Sequence, residues 1–289
     1  MITKSSFKLI IAAAISITLT HHASAADYVI PSDTAPTILV AGDTLTLNAG
    51  GAISGGFYTH DGSITTITGG SVSGTFVNYG EMNISGGTFV AIPELYLDSN
   101  TNISGGTFDA GFLAGNNADV QITGGTILGI VGLDDNVSLD VSGGVFSGQV
   151  NINHASTANI SGGTFNSYVI FDGAIVTHTI SGGNFNAVGI INGATIDVHG
   201  SNFKIDGLDV AGSIDAAAIT SGILTGTLAD GNTIEWELDN DFNGVPGEDY
   251  FLTGTINLVP IPEPTTALLF SLTTLPLLSQ RAKKIKISI

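Results

Sequence analysis

Ile84-Ser85-Gly86-Gly87-Thr88-Phe89 returns as Ile103-Ser104-Gly105-Gly106-Thr107-Phe108 and again as Ile160-Ser161-Gly162-Gly163-Thr164-Phe165. Looser copies of the phrase, an aliphatic residue, usually Ser or Thr, and two small residues, open at Ile53, Ile67, Ile122, Val141, Ile180 and Val198, the last with His199 in the second place. The nine anchors are spaced 14, 17, 19, 19, 19, 19, 20 and 18 residues apart. A recurrent period of about 20 residues marks a stacked array in which one unit cannot bury its apolar face alone and its neighbours complete the core.

Aligning the copies on their anchors sorts the residues into columns with the alternation of a half-buried strand. Val120 and Ile122, Leu139 and Val141, and Ile196 and Val198 flank the polar Gln121, Asp140 and Asp197. Five residues past the anchors from Ile84 onward stands an aromatic column of Phe89, Phe108, Phe146, Phe165, Phe185 and Phe203, interrupted by Ile127. Nine and eleven residues past the anchor come Phe112, Val131, Val150 and Val169, then Leu95, Leu133, Ile152, Phe171 and Ile191, a second inward face. Two turns separate these strands, the Gly-Gly pair and a site reading Asp134-Asp135-Asn136, Asn153-His154, Asp172-Gly173 and Asn192-Gly193. Gly adopts positive φ without penalty, and Asp or Asn tolerates it.

The predicted fold is all-β, a single-stranded parallel β-helix (β-solenoid) with about 19 residues per coil and coils about 4.8 Å apart. An apolar residue every six positions, the mark of a left-handed hexapeptide solenoid, fails at the Ile103 anchor, so a right-handed coil is expected. Gly-Gly in every period excludes stacked helices, because each Gly in a helix interior costs about 1 kcal/mol relative to Ala. Residues 37–47 read as an irregular first coil or cap. Past Phe203 the period stops; residues 223–228 and 233–238 flank Ala229-Asp230-Gly231-Asn232 as a hairpin, and residues 250–259 form another strand. This antiparallel module is expected to close the open solenoid end, with Trp236, the only Trp, as its plug. Tyr168, Ile170, Val188 and Ile190 fall at outward offsets, with Leu113 and Ile130 earlier, so the module is expected to cover part of this apolar face.

Charge and termini set the compartment. Residues 1–25 carry Lys4 and Lys8, an apolar run from Leu9 to Leu19, and Ala23-Ser24-Ala25, the grammar of a secretory signal cleaved after Ala25. The chain has no Cys, which excludes a disulfide framework. Residues 26–264 hold Lys204 alone against all 25 acidic residues, a net charge of −24. Nucleic acid is thereby excluded as a partner, since phosphate binding requires Lys and Arg. Solubility accounts for such acidity, and divalent cations or basic surfaces are compatible with it.

At the other end, Pro262-Glu263-Pro264 precedes an apolar stretch, Ala267 to Leu278, and a tail with Arg281, Lys283, Lys284 and Lys286. Residues 265–280 would span about 24 Å as a helix, short of a hydrocarbon core of about 30 Å but usable with its flanks. Basic residues favour the cytoplasmic side, so the tail stays inside while the acidic body is exported. This three-part end resembles the PEP-CTERM sorting signal of Gram-negative bacteria, with Pro262, Glu263 and Pro264 matching its motif residue for residue. The span departs from the pattern at Thr273, Thr274 and Pro276, and the tail is mostly Lys. The resemblance implies recognition by an exosortase-type membrane protease, transient anchoring in the inner membrane by a transmembrane helix, and delivery to the cell surface, outer membrane or extracellular matrix, where exopolysaccharide is a partner. A plain single-pass anchor is the simpler alternative. The division expected is a signal peptide at 1–25, an N-terminal cap or first coil at 26–52, solenoid repeats at 53–203, a β module at 204–259 and a sorting signal at 260–289.

Parallel β-helix bodies resemble the scaffold of pectate lyases and other polysaccharide-active enzymes. A lyase of that type needs a basic side chain, and the body has no Arg and only Lys204. For a hydrolase, Asp134 and Asp135 offer acids and His199 with Lys204 the remaining groups, but more than three coils, over about 14 Å, separate them. His60, His154, His178 and His199 share no column when counted from their anchors, and His178 reads as a core residue. The turn column of Asp134, Asn153, Asp172 and Asn192 would line up acid and amide groups for calcium or sugar hydroxyls; turn propensity alone explains the same residues. Asp239, Asp241 and Asn243 resemble the opening of a calcium loop, but Tyr250 stands where a bidentate Glu belongs. The expected function is a non-enzymatic structural or adhesive surface element, with a polysaccharide hydrolase or lyase as the alternative.

Overall fold

The computed structural model describes residues 25–173, 176–215, 221–239, 250–251 and 253–261. They form an all-β parallel β-solenoid of about nine turns with about 19 residues per turn, and no helix occurs among them. The coils between Thr44 and Ile152 contribute three short strands each, which merge into one long strand per coil at Thr157–Asp172 and Thr177–Ile191, and successive coils pair in parallel register.

The first ladder stacks Ile30, Leu47, Ile67, Ile84, Ile103, Ile122, Val141, Ile160, Ile180 and Val198 in one column. Every one of these side chains is buried, and the residues before them alternate outward, as in the Asn100–Ile103 strand. The second ladder is the short strand after the Gly-Gly turn, running through Val72, Phe89, Phe108, Ile127, Phe146, Phe165 and Phe185. Its rings stack as the sequence predicts as far as Phe185: Phe89 on Phe108 at 4.6 Å and 2°, Phe146 on Phe165 at 4.6 Å and 13°, Phe165 on Phe185 at 4.9 Å and 4°. Phe203, predicted as the next ring, lies past the end of that parallel register at Val198, on the part of its strand that pairs antiparallel with Ile223–Leu228, and Trp236 meets Phe185 instead. The third ladder carries Leu95, Phe112, Val131, Leu133, Val150, Ile152, Val169 and Phe171 inward.

The Gly-Gly turn has two separate reasons. A Cβ on Gly105 would sit 2.3 Å from the Ser85 carbonyl oxygen of the preceding coil, so backbone packs where a side chain would stand. Gly106 has φ +89°, a conformation that L side chains rarely adopt.

Two stretches differ from the sequence reading. Ile53 is no anchor: it pairs with Val72 in the ring column, and Leu47 is the anchor before Ile67. The coil after Leu47 has one extra turn residue, so the Ile53 phrase imitates an anchor out of register. The ladder also reaches back to the Asp27–Ile30 strand, giving residues 26–52 the same parallel stacking as the rest. The second difference follows a register shift between Phe165 and Tyr168, after which Val188 pairs with Val169 and Ile190 with Phe171. Val188 and Ile190 are therefore core side chains rather than outward ones covered by a later module, and Ile191 leaves the inward column half-buried. Tyr168 and Ile170 are half-buried; Leu113 and Ile130 are open to solvent.

Beyond residue 205 the chain turns back on the array. The Ile223–Leu228 and Thr233–Glu237 strands pair antiparallel, and the first also pairs antiparallel with the Thr195–Ile205 strand. Trp236 is buried with its ring edge-on to Phe185 at 6.0 Å. The Asp230 carboxylate in the hairpin loop accepts a 2.7 Å hydrogen bond from the Gly183 N–H of the last Gly-Gly turn. The Thr255–Pro260 strand then resumes the first ladder, placing Ile256 and Leu258 over Ile196 and Val198, and the Gly212–Asp215 strand pairs with its far edge in antiparallel register.

Candidate functional site

The turn after the third ladder holds most of the outward chemistry. Asn116, Asn117, Asp135, Asn136, His154 and Asn192 adopt φ between +54° and +67°, the left-handed region that Asn and Asp tolerate better than other side chains. Stacking then brings their side chains within reach of one another. Asn117 donates to Asp98 at 3.1 Å, Asn136 to Asn117 at 3.3 Å, and Asn192 to Asp172 at 2.7 Å.

In the middle of this ladder, Asp134, Asp135 and His154 offer ligand atoms that all lie within 4.8 Å of one another, each exposed. The His154 imidazole contacts the Asp134 carboxylate, and that hydrogen bond, with the surrounding acidic charge, raises the imidazole pKa above its ordinary value. A cation entering here would compete with a proton for that imidazole. His154 and Asp135 share one offset in the sequence, thirteen residues past Val141 and Ile122, a match between an acid and a His that the His residues by themselves do not reveal.

Beside this cluster lies a groove of about 370 Å³ lined by Tyr96, Leu113, Asn116, Gly132, Asp134 and Asn153, among others. Two glycines make it. A Cβ on Gly115 would come within 3.0 Å of the Tyr96 ring, and one on Gly132 within 2.8 Å of a Leu113 methyl. Tyr96 and Leu113 thus lean over the next coil where no side chain resists them. Burial raises the Tyr96 phenol pKa, with Glu94 and Tyr79 adding to the effect. The groove was missed in sequence because it consists of two absent side chains within otherwise occupied columns.

Elsewhere the expected groups remain apart. Asp134 and Asp135 precede the Ser138–Val141 strand, whereas His199 and Lys204 lie on the Thr195–Ile205 strand, three rungs or about 14 Å further along the ladder. Lys204 faces Asp209 at 3.6 Å. His178 is buried against the Phe171 ring at 4.8 Å, and neither ring nitrogen has a hydrogen-bond partner. Burial lowers its pKa to about 4, so it is neutral at pH 7. Of the calcium-loop residues, Asp239 is half-buried just after the hairpin; Asp241 and Asn243 lie outside the described residues, as do Pro262, Glu263, Pro264, Arg281, Lys283, Lys284 and Lys286. Ala25, the predicted cleavage position, is exposed at the start of the described chain. Among the described residues no helix is long and apolar enough to cross a membrane, and the predicted span at 265–280 is outside them.

Ser85, Ser104, Thr123, Ser142 and Ser161 form an exposed hydroxyl column along the first corner. Ser104 and Ser161 each turn their hydroxyl to the anchor carbonyl of the previous coil at 3.2 Å. No protein-family model, curated protein or solved structure gives a significant match to this chain.

Proposed function

We propose that this chain is a non-enzymatic, exported β-solenoid that serves as a structural or adhesive element at the cell surface or in the extracellular matrix. The observation that carries the reading is the continuous parallel ladder from Asp27 to Pro260, whose core is filled coil after coil while its corners present Ser, Thr, Asn and Asp. Such a rod holds its outer groups at fixed spacing, which suits display and adhesion. A right-handed coil is part of this reading, supported by the failure of a six-residue apolar period at the Ile103 anchor. The hairpin with Trp236 and Asp230 acts in this reading as the cap of the C-terminal end, hiding Phe185 and the last Gly-Gly turn.

Export rests on the signal at residues 1–25, and sorting on Pro262, Glu263 and Pro264 with the apolar span and the basic residues Arg281, Lys283, Lys284 and Lys286. An exosortase-type protease is the partner in processing, the membrane a transient anchor, and exopolysaccharide the matrix partner. Cells producing the chain with Pro262, Glu263 and Pro264 replaced by Ala, fractionated beside cells with the native triplet, test this. Retention of the variant in the inner membrane is expected; an unchanged distribution would remove the sorting hypothesis.

A further inference from the structure

The geometry points to a binding site for a neutral, hydroxyl-rich polysaccharide in the groove from Tyr96 to Asn153, with the sugar chain lying along the solenoid axis. Twelve residues past successive anchors stand Tyr96, Gly115, Asp134, Asn153 and Asp172, one per coil. The rungs repeat at about 4.8 Å, close to the length of one pyranose unit in an extended chain. A linear polysaccharide laid on this column meets a new rung with nearly every sugar.

The lining suits such a ligand. Tyr96, leaning across Gly115, and Leu113, leaning across Gly132, supply apolar surface for the C–H faces of a sugar ring. Asn116, Asp134, Asp135 and Asn153 surround it with amide donors and with carbonyl and carboxylate acceptors for hydroxyl groups. The volume of about 370 Å³ falls within the range of about 300 to 1,000 Å³ of ordinary ligand sites.

Other ligand classes fit less well. A peptide adding as a strand needs a free sheet edge, but the Gly115, Asp134 and Asn153 N–H groups already bond to Leu95, Ala114 and Leu133 carbonyls at 2.9 to 3.1 Å. Phosphates and uronates would approach two carboxylates at the groove mouth in a body with one Lys. A neutral glycan carries no such penalty.

The inference rests on the surface-display reading for its setting, but in vitro binding tests it independently. The full-length protein is titrated calorimetrically with a panel of neutral gluco-, manno- and galacto-hexasaccharides and with a polygalacturonate hexamer. At least one neutral hexasaccharide is expected to bind, and the anionic hexamer not to. Tyr96→Ala and Gly132→Asn should each weaken binding tenfold or more. Gly132→Asn installs the residue that the next coil carries as Asn151 in the same column, so an unchanged unfolding midpoint separates loss of site from loss of fold. Absence of binding by every neutral hexasaccharide, equal affinity in both variants, or equal affinity for polygalacturonate would overturn the assignment. None of those results would alter the outcome of the fractionation experiment, which reads sorting alone.

Discussion

Replacing Phe165 tests the stacked core at the point where it is most continuous. Its ring is 2% exposed and lies between Phe146 at 4.6 Å and Phe185 at 4.9 Å, the latter also meeting Trp236. Truncation of a buried Phe to Ala costs about 3 to 5 kcal/mol. Each aromatic pair adds about 0.5 to 1.5 kcal/mol beyond buried area. Phe165→Ala therefore belongs at or above the top of the truncation range, whereas Phe165→Leu, which keeps apolar bulk and forfeits both stacks, should cost about 1 to 3 kcal/mol. Val145→Ala, at a 38% exposed side chain one residue before Phe146, should stay within about 0.5 kcal/mol of the parent. Urea unfolding followed by far-ultraviolet circular dichroism reads all three. Because a solenoid couples each coil mainly to its neighbours, Phe165→Ala should also broaden the transition as the coils on either side uncouple. A cost below about 1 kcal/mol for Phe165→Ala, or equal costs for Phe165→Ala and Val145→Ala, would refute the stacked interior.

Two further outcomes follow from single side chains. The folded pKa of His178, about 4, lies below the 6.5 of an unperturbed imidazole, so the unfolded chain binds the proton more readily. The stability this neutral imidazole contributes is complete above about pH 6.5 and is lost as pH falls toward 4, by up to about 3 kcal/mol; His178→Leu should flatten that part of the pH–stability curve, and an unchanged slope would contradict the buried neutral state. At the C-terminal end, Asp230→Ala removes the acceptor for the Gly183 N–H, a loss of about 1 kcal/mol for a partly exposed charge-assisted bond. Since Trp236 is the only Trp, looser docking should appear as a red shift in fluorescence and faster quenching by acrylamide, whereas an unshifted spectrum would show that the hairpin is held without this bond.

The period of the anchors and the ring column were legible because coil after coil repeats the same close backbone approach and, except at Val72 and Ile127, places a Phe ring in the same column. Gly105 and Gly106 are dictated by a neighbouring carbonyl and by φ, and Phe108 by the ring beneath it, so these positions vary little from coil to coil. What sequence offsets concealed were one-residue changes inside turns. A turn absorbs an extra or missing residue while the flanking ladders stay in register, yet a fixed offset counted across it assigns each later residue to the wrong face. Ile53, Val188, Ile190 and Ile191 were all misplaced for this one reason. The groove was hidden by a different mechanism. Alternation reports which residues point outward, but an outward cavity depends on a side chain's absence in one coil and on the direction in which its neighbour leans. Gly115 and Gly132 look like ordinary small residues until Tyr96 and Leu113 are seen to lie over them. The same stacking that fills the core by repetition therefore makes specific surface shape only where repetition fails, and in this chain the break falls beside the rung where Asp134, Asp135 and His154 meet.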